Sequence, residues 1–235
     1  MSEDTILDKK FLRIKSIRTS SNAFLMKLKE GDIIISLDGE LVNISYEAFS
    51  KELKDLKQSK ILTLYRDEVF FNTFVNGPLG VISEEINSET ITDLNSYKPI
   101  DSIGLKNFYQ QFEVFQKSGS SAILMNTFPT ILASLAPPLW MIQNKLWIFF
   151  CISLVFYIVL LMISPWLFFI GWILKSSYVG NSQIDILRFF YRLNNYRLSL
   201  IFCAINEKEA QETARKFDSK IDFYYSYLEP VVLDD

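Results

Sequence analysis

The side chains that could do chemistry in this chain do not include histidine. Its 235 residues contain none, so a Ser-His triad, an HExxH zinc site and every other mechanism that needs an imidazole are excluded. The two cysteines, Cys151 in an apolar run and Cys203 in a predicted strand, lie in settings too different to indicate a disulfide or a metal cluster. A Ser-Lys dyad has only unspecific candidates, such as Ser164 with Lys175. We therefore predict a protein that is not an enzyme, with no catalytic residue, no metal site and no cofactor.

The net charge of the chain argues against a nucleic-acid partner, and its uneven composition indicates separate parts. The net charge of -3 provides no basic field of the kind that holds nucleic acid, so we predict no nucleic-acid partner. Hydrophobic residues make up 49% of the chain, and their excess is concentrated between residues 122 and 174. The N-terminus lacks the pattern of a secretory signal. Separate parts are expected, with the first domain remaining where it was made.

The first 75 residues are predicted to form a small α+β unit that would position a site. Alternating or β-branched apolar runs predict four strands, at residues 11–17, 33–37, 61–65 and 69–75. The pair Asp38-Gly39 is a strong hairpin turn. A helix with Ser45 as its N-cap is predicted over residues 45–56. Its apolar side chains recur at intervals of three and four, as one helical stripe requires: Tyr46, Phe49, Leu53 and Leu56.

The segment SNAFLMKLKEGDIIISLDGELV, followed by this helix and the strand ILTLYRDE, resembles a PDZ domain of the bacterial type. Leu28, the pair Gly31-Asp32 and the turn Asp38-Gly39 match the family's pattern, whereas Asn22 stands where the family often has proline. The resemblance covers residues 1–86. It implies a partly open β-barrel with helices that binds a peptide or a protein terminus.

In a circularly permuted arrangement, the same resemblance implies a groove after the last strand. The loop NGPLGVI, residues 76–82, would offer backbone N–H groups to a peptide carboxylate, while the peptide pairs with the strand that follows. The side chains and loop positions expected to bind the peptide are Leu79, Gly80, Val81, Ile82, Tyr46, Phe49 and Leu53. The alternative is that GPLG is a turn that closes the domain and that the helix stripe is core.

The middle of the chain predicts a membrane architecture. Residues 87–121 read as a polar linker followed by an amphipathic helix, whose apolar face would lie in a membrane interface or on the neighbouring domain: Leu105, Phe108, Tyr109, Phe112 and Phe115. Residues 122–142 and 146–174 contain no charge, and each is about as long as a bilayer core requires. We predict a transmembrane helical hairpin over residues 122–174. Three prolines leave open that its first segment is re-entrant or lies flat.

Basic residues flank this apolar region on both sides, which favours the cytoplasm for both flanks. The prediction is therefore an integral membrane protein, of the bacterial inner membrane, with both soluble segments cytoplasmic. The rival is a single span with the first domain exported. Transport is disfavoured because the apolar segments lack the intramembrane ionisable residues that mark ion pathways.

Residues 175–235 are predicted to form a C-terminal helix-strand-helix segment. Its helices are expected at 184–193 and 207–217 around a strand at 196–205, with Asn206 and Glu209 as a capping box. Together with the motif APPLW at 136–140, this part resembles DUF2628, a bacterial family of unknown function. Arg188 and the turn Asn195-Tyr196-Arg197 carry the likeness, although Asn195 replaces the usual glycine. The family has no established activity, so the resemblance implies a membrane architecture alone.

The fold class predicted from these parts is α+β: a PDZ-like barrel, a transmembrane hairpin and a short αβα segment. The function that fits best is a membrane-anchored, non-enzymatic adaptor whose partners are a protein or peptide ligand and the lipid bilayer. Tethering would raise the effective concentration of a weak binder. A structural subunit of a membrane complex without a free groove is the alternative. A regulatory partner of a membrane protease is the third hypothesis, and it rests on analogy of fold.

Overall fold

The structure is a computed structural model that describes residues 10–87, 106–117 and 121–230. The chain forms two compact units. The first contains residues Met1–Asn126 and Leu198–Asp235, and the second contains Thr127–Arg197. The second unit is thus an insertion in the sequence of the first.

The N-terminal part of the first unit contains the elements that the apolar patterns predict. Its elements are β1 (Lys10–Ile17), α1 (Asn22–Leu25), β2 (Ile33–Leu37), β3 (Glu40–Leu41), α2 (Tyr46–Lys54), β4 (Lys60–Arg66), β5 (Val69–Val75) and β6 (Val81–Asn87). The four predicted strands and the helix are confirmed. The Asp38-Gly39 turn is confirmed as well, because both residues have positive φ angles, of 49° and 83°, and join β2 to β3. Ser45 is the residue before α2, but its side chain makes no capping hydrogen bond.

The remainder of the first unit extends the same sheet. A short 3-10 turn at Lys106–Phe108 precedes β7 (Gln110–Gln116) and β8 (Ser121–Asn126), and after the insertion come β9 (Arg197–Ala204), α7 (Glu207–Phe217) and β10 (Asp222–Phe223). Across the described strands the order is β10-β8-β7-β9-β5-β4-β2-β1-β6, with β3 beside β2. The predicted strand and helix at β9 and α7 are confirmed. Asn206 Oδ1 accepts the N–H of Glu209 at 2.9 Å, as predicted for the N-cap.

The amphipathic helix predicted within residues 87–121 is wrong where the structure describes it. Residues 110–116 form a strand that pairs antiparallel with β8, from Phe112 opposite Asn126 to Gln116 opposite Ala122. Four consecutive residues of β7, 112–115, are buried, so both faces of the strand are covered. Aromatic and β-branched residues at short intervals fit a doubly covered strand as well as a helical stripe, and tertiary pairing decides between them.

One hydrophobic core runs through the first unit and joins the two ends of the chain. It combines Phe49, Leu62 and Phe71 from the N-terminal part with Phe112 and Phe202 from the later strands. The C-terminal segment therefore folds together with the N-terminal elements.

The second unit is helical. It contains α3 (Ile131–Leu135), α4 (Pro137–Gln143), α5 (Trp147–Ile163) and α6 (Pro165–Leu193). Prolines begin α4 and α6, where a missing N–H leaves no intrahelical hydrogen bond unmade. Buried Gln183 ties α6 to the start of α3, because its Oε1 accepts the N–H of Thr130 at 2.9 Å.

No helix among the described residues is both long and apolar enough to cross a membrane. The predicted transmembrane hairpin over 122–174, and with it the assignment as an integral protein of the inner membrane, is therefore wrong. The uncharged sequence is divided among short elements: residues 122–126 belong to β8, and α3 and α4 have 5 and 7 residues. Helix α5 is apolar but has 17 residues, against the roughly 20 that a span needs. The long helix α6 includes Lys175 and a polar second half.

Candidate peptide-binding edge

Strand β6 lies at one end of the sheet. It pairs antiparallel with β1, from Lys10 opposite Asn87 to Ile17 opposite Val81, and no other strand of the described chain pairs with it. An edge strand presents a row of backbone N–H and C=O groups that another extended chain can pair with. Helix α2 packs next to β6, so the open edge and a helix lie side by side.

The loop that leads into β6 is fixed by α1. Asn22 Nδ2 donates to the carbonyl of Pro78 at 3.0 Å, and the N–H of Ala23 donates to the carbonyl of Leu79 at 3.0 Å. Gly80 has φ +70°, and a Cβ added there would lie 2.8 Å from the Cβ of Ser21. Glycine is required at position 80 for its backbone conformation and for this close approach.

The carbonyls of Pro78 and Leu79 thus accept hydrogen bonds from α1. The N–H groups of the loop are a separate question. Among the described residues, no carbonyl accepts a hydrogen bond from the N–H of Leu79 or Gly80. Leu79 is buried and Gly80 is half-buried, so Gly80 is the one of these two residues that a ligand at the start of β6 could reach.

The seven residues predicted to bind a peptide divide between core and surface. Phe49, Leu53, Leu79 and Val81 are buried, and Leu79 exposes 1% of its surface. These four side chains belong to one hydrophobic core. The rest are more accessible: Gly80 and Tyr46 are half-buried, and Ile82 is 54% exposed.

Charged side chains cross from β1 to β6. Lys10 Nζ lies 3.0 Å from Glu85 Oε2, and Glu84 lies 3.9 Å from both Arg13 and Lys15. The pairs are at the surface, where each contributes about 0–1 kcal/mol. As cross-strand pairs of opposite charge they favour the register of β6 with β1.

A buried ion pair that sequence reasoning missed holds the turn before β2. Asp32 accepts two hydrogen bonds from Arg66, at 2.6 Å from Nε and 2.6 Å from Nη2, and a third from the N–H of Lys29 at 2.8 Å. The guanidinium lies over the rings of Phe71 and Phe217, 5.0 and 5.8 Å from their centroids. Arg66 ends β4 and is buried. Asp32 of the Gly31-Asp32 pair therefore stabilises the turn before β2.

In the second unit Lys175 contacts a serine that the sequence did not single out. Its Nζ donates to Ser153 Oγ at 2.6 Å, and Ser153 Oγ donates in turn to the carbonyl of Phe149 at 2.6 Å. Ser164, the candidate named from the sequence, is the residue before α6. No sequence spacing could pair Ser153 with Lys175, because they lie on different helices.

Both cysteines are free thiols, and they lie in different settings. Burial raises the pKa of the Cys203 thiol well above its ordinary value, which keeps the thiol protonated. Cys151 is exposed in α5. No group of three potential metal ligands is found among the described residues.

Neither a known family model nor a curated protein sequence matches this chain. The resemblances to the PDZ domain and to DUF2628 therefore stay predictions. The function has to be argued from the geometry of the two units.

Proposed function

We propose that this chain is a non-enzymatic adaptor whose first unit binds an extended peptide or a protein terminus along β6. The observation that carries the proposal is that β6 is an edge strand which begins at a loop where the N–H of half-buried Gly80 has no hydrogen-bond acceptor among the described residues. In this arrangement the N–H group of Gly80 donates to the carboxylate of the ligand. The ligand then runs antiparallel to β6 and forms main-chain hydrogen bonds with it.

Specificity in this mode comes from the few side chains at the surface of the groove. Alternate side chains of an extended ligand point to the same face, so those on the α2 side would meet Tyr46 and those on the opposite side would meet Ile82. The buried positions Phe49, Leu53 and Leu79 offer the ligand little surface. Each main-chain hydrogen bond contributes about 0.5–1.5 kcal/mol, so we expect weak binding that tolerates many sequences.

A comparison of two immobilised random peptide libraries tests the proposal. One library has free C-terminal carboxylates and the other is amidated at the C-terminus. We expect saturable binding to the first that falls at least tenfold in the second. Ile82→Asp should weaken binding by a similar factor, because it places a charge beside the ligand chain, whereas Ile205→Asp, at an exposed residue after β9, should not.

The loop is tested by a matched pair of glycine substitutions. Gly80→Ala meets both a positive φ and Ser21, so it should distort the loop and reduce binding. Gly31→Ala has the same backbone strain, with φ +94°, but no atom lies within 4 Å of the added Cβ. Equal binding by the two variants would contradict the role given to the loop.

The alternative function is a structural subunit whose sheet edge is covered by a permanent partner. The burial of Phe49, Leu53 and Leu79 in one core favours it, because these side chains leave no deep pocket for a terminal residue. The library comparison separates the two hypotheses. Binding to neither library would reject the adaptor and support the structural subunit.

The lipid bilayer stays a proposed partner, through surface contact with the second unit. Large apolar side chains of α5 and α6 are exposed, including Ile148, Met162 and Trp166. Exposed apolar patches of this kind mark interaction surfaces. Flotation with phosphatidylcholine vesicles tests this contact: Met162→Glu should reduce the bound fraction, and equal binding by the variant would contradict it.

A further inference from the structure

A half-open cavity of about 500 Å³ lies along the second unit, against α4, α5 and α6, and Ile152, Tyr178 and Phe189 in its wall are each more than half exposed. Its volume is within the range of small-molecule sites. The residues of α6 that line it follow one helical stripe, at positions 175, 178, 179, 182, 185, 186 and 189. At the rise of an α-helix this stripe is roughly 21 Å long. Apolar and aromatic side chains from all three helices, such as Met141, Ile152 and Phe189, form much of the wall.

Lys175 places one cation at an end of this stripe. Its ammonium donates to Ser153, lies 5.2 and 5.1 Å from the ring centroids of Phe156 and Tyr157, and forms no ion pair within the described residues. Burial lowers the pKa of Lys175, since the apolar surroundings disfavour its charge. The acid in the wall, Asp185, is exposed and lies 3.2 Å from Arg188. The charge of Lys175 is therefore left for an anion to neutralise.

We propose that this cavity binds one long-chain carboxylate of the fatty-acid class, with its headgroup paired to Lys175 and its alkyl chain laid along the α6 stripe. A charged hydrogen bond from the ammonium to a carboxylate satisfies the cation in an otherwise apolar wall. The length of the stripe fits a single chain, because the chain of one lipid leaflet covers about 15 Å, half of a bilayer core. The inference is independent of the peptide-binding edge, which lies in the other unit.

Palmitate, added to the full chain below its critical micelle concentration, is the probe that tests this inference. We expect saturable binding that also raises Tm. Lys175→Met should weaken binding at least tenfold, whereas Lys175→Arg should retain it. Arg192→Met is the control for loss of a charge on α6 outside the cavity, and it should bind as the unchanged protein does. Equal affinity for palmitate and for uncharged hexadecanol would overturn the pairing with Lys175.

A second pair of variants tests the position of the alkyl chain. Ile186→Trp fills the cavity and should abolish binding, whereas Ile184→Trp, on the same helix outside the cavity, should not. Thermal melts by circular dichroism show that each variant is folded. Palmitate bound equally by both tryptophan variants would place the chain elsewhere and contradict the inference.

Vesicles distinguish a free carboxylate from an anionic lipid headgroup. Phosphatidylglycerol vesicles offer an anion and acyl chains, and phosphatidylcholine vesicles offer the chains without net charge. We expect Lys175→Met to change palmitate binding while leaving binding to both vesicles unchanged. If Lys175→Met instead reduces binding to phosphatidylglycerol vesicles and palmitate does not bind, the site belongs to a bilayer lipid and the inference is wrong.

Discussion

The buried pair of Asp32 and Arg66 makes the first unit vulnerable to a single substitution. Asp32 exposes 1% of its side chain and Arg66 exposes 6%. Asp32→Ala removes both hydrogen bonds that the Arg66 guanidinium donates to the carboxylate. The guanidinium still donates from Nη2 to the carbonyl of Lys27, at 3.1 Å. Removing one member of a buried pair leaves an uncompensated charge and destabilises a protein by about 3–5 kcal/mol. That is a large part of the roughly 5–15 kcal/mol that stabilises a domain.

Urea denaturation followed by circular dichroism measures this loss. With an m-value of about 2 kcal/mol/M, the midpoint of unfolding should fall by roughly 2 M in Asp32→Ala. The double variant Asp32→Ala with Arg66→Met should be less destabilised than the sum of the two single variants, by about 0.5–3 kcal/mol, because no charge is left alone in the core.

The exposed pair of Lys60 and Glu52 is the control. Its atoms are also close, at 2.9 Å, but the side chains are 30% and 44% exposed. Glu52→Ala should change the free energy of unfolding by about 0–1 kcal/mol. The reasoning from burial is refuted if Asp32→Ala destabilises the protein no more than Glu52→Ala does.

Three further predictions concern other parts of the fold. Gly180→Val should lower Tm, because a Cβ at this position overlaps Ser134 where α3 packs on α6; an unchanged melt would contradict that packing. Asn206→Ala should reduce the free energy of unfolding by about 1 kcal/mol through the lost cap of α7, and no change in the urea midpoint would refute it. Iodoacetamide should label exposed Cys151 in the native protein and Cys203 only after unfolding, because burial raises the pKa of Cys203; mass spectrometry of native protein labelled at both sites would disprove this.

Local sequence patterns suffice to predict two kinds of element: strands whose side chains alternate between buried and accessible, and helices whose apolar side chains form a single stripe. Strand β5 alternates between buried and half-buried residues along its length, and α2 buries one stripe, so both were predictable. Strand β7 was not, because it is buried on both faces and its aromatic spacing also fits a helix. In the apolar region, lack of charge does not imply long helices, because Pro137 and Pro165 each begin a new helix.

The backbone conformation of the candidate site can be predicted from the sequence, but which of its side chains are exposed cannot. The glycine loop at 77–80 could be identified from the sequence, since positive φ and close approach leave a local signature. Which side chains remain exposed depends on tertiary packing, so buried Leu79 and exposed Ile82 cannot be distinguished from local sequence alone. Contacts between distant segments, such as Asp32 with Arg66 or Ser153 with Lys175, required the fold.

Amide hydrogen exchange of Gly80 and β6 tests the central claim most directly. The measurement compares the protein alone with the protein saturated by a peptide selected from the carboxylate library. We predict that exchange of these amides slows on binding, while that of the central strand β4 does not change. Exchange in β6 that is unaffected by a bound peptide, or that is already as slow as in β4 without one, would contradict the account.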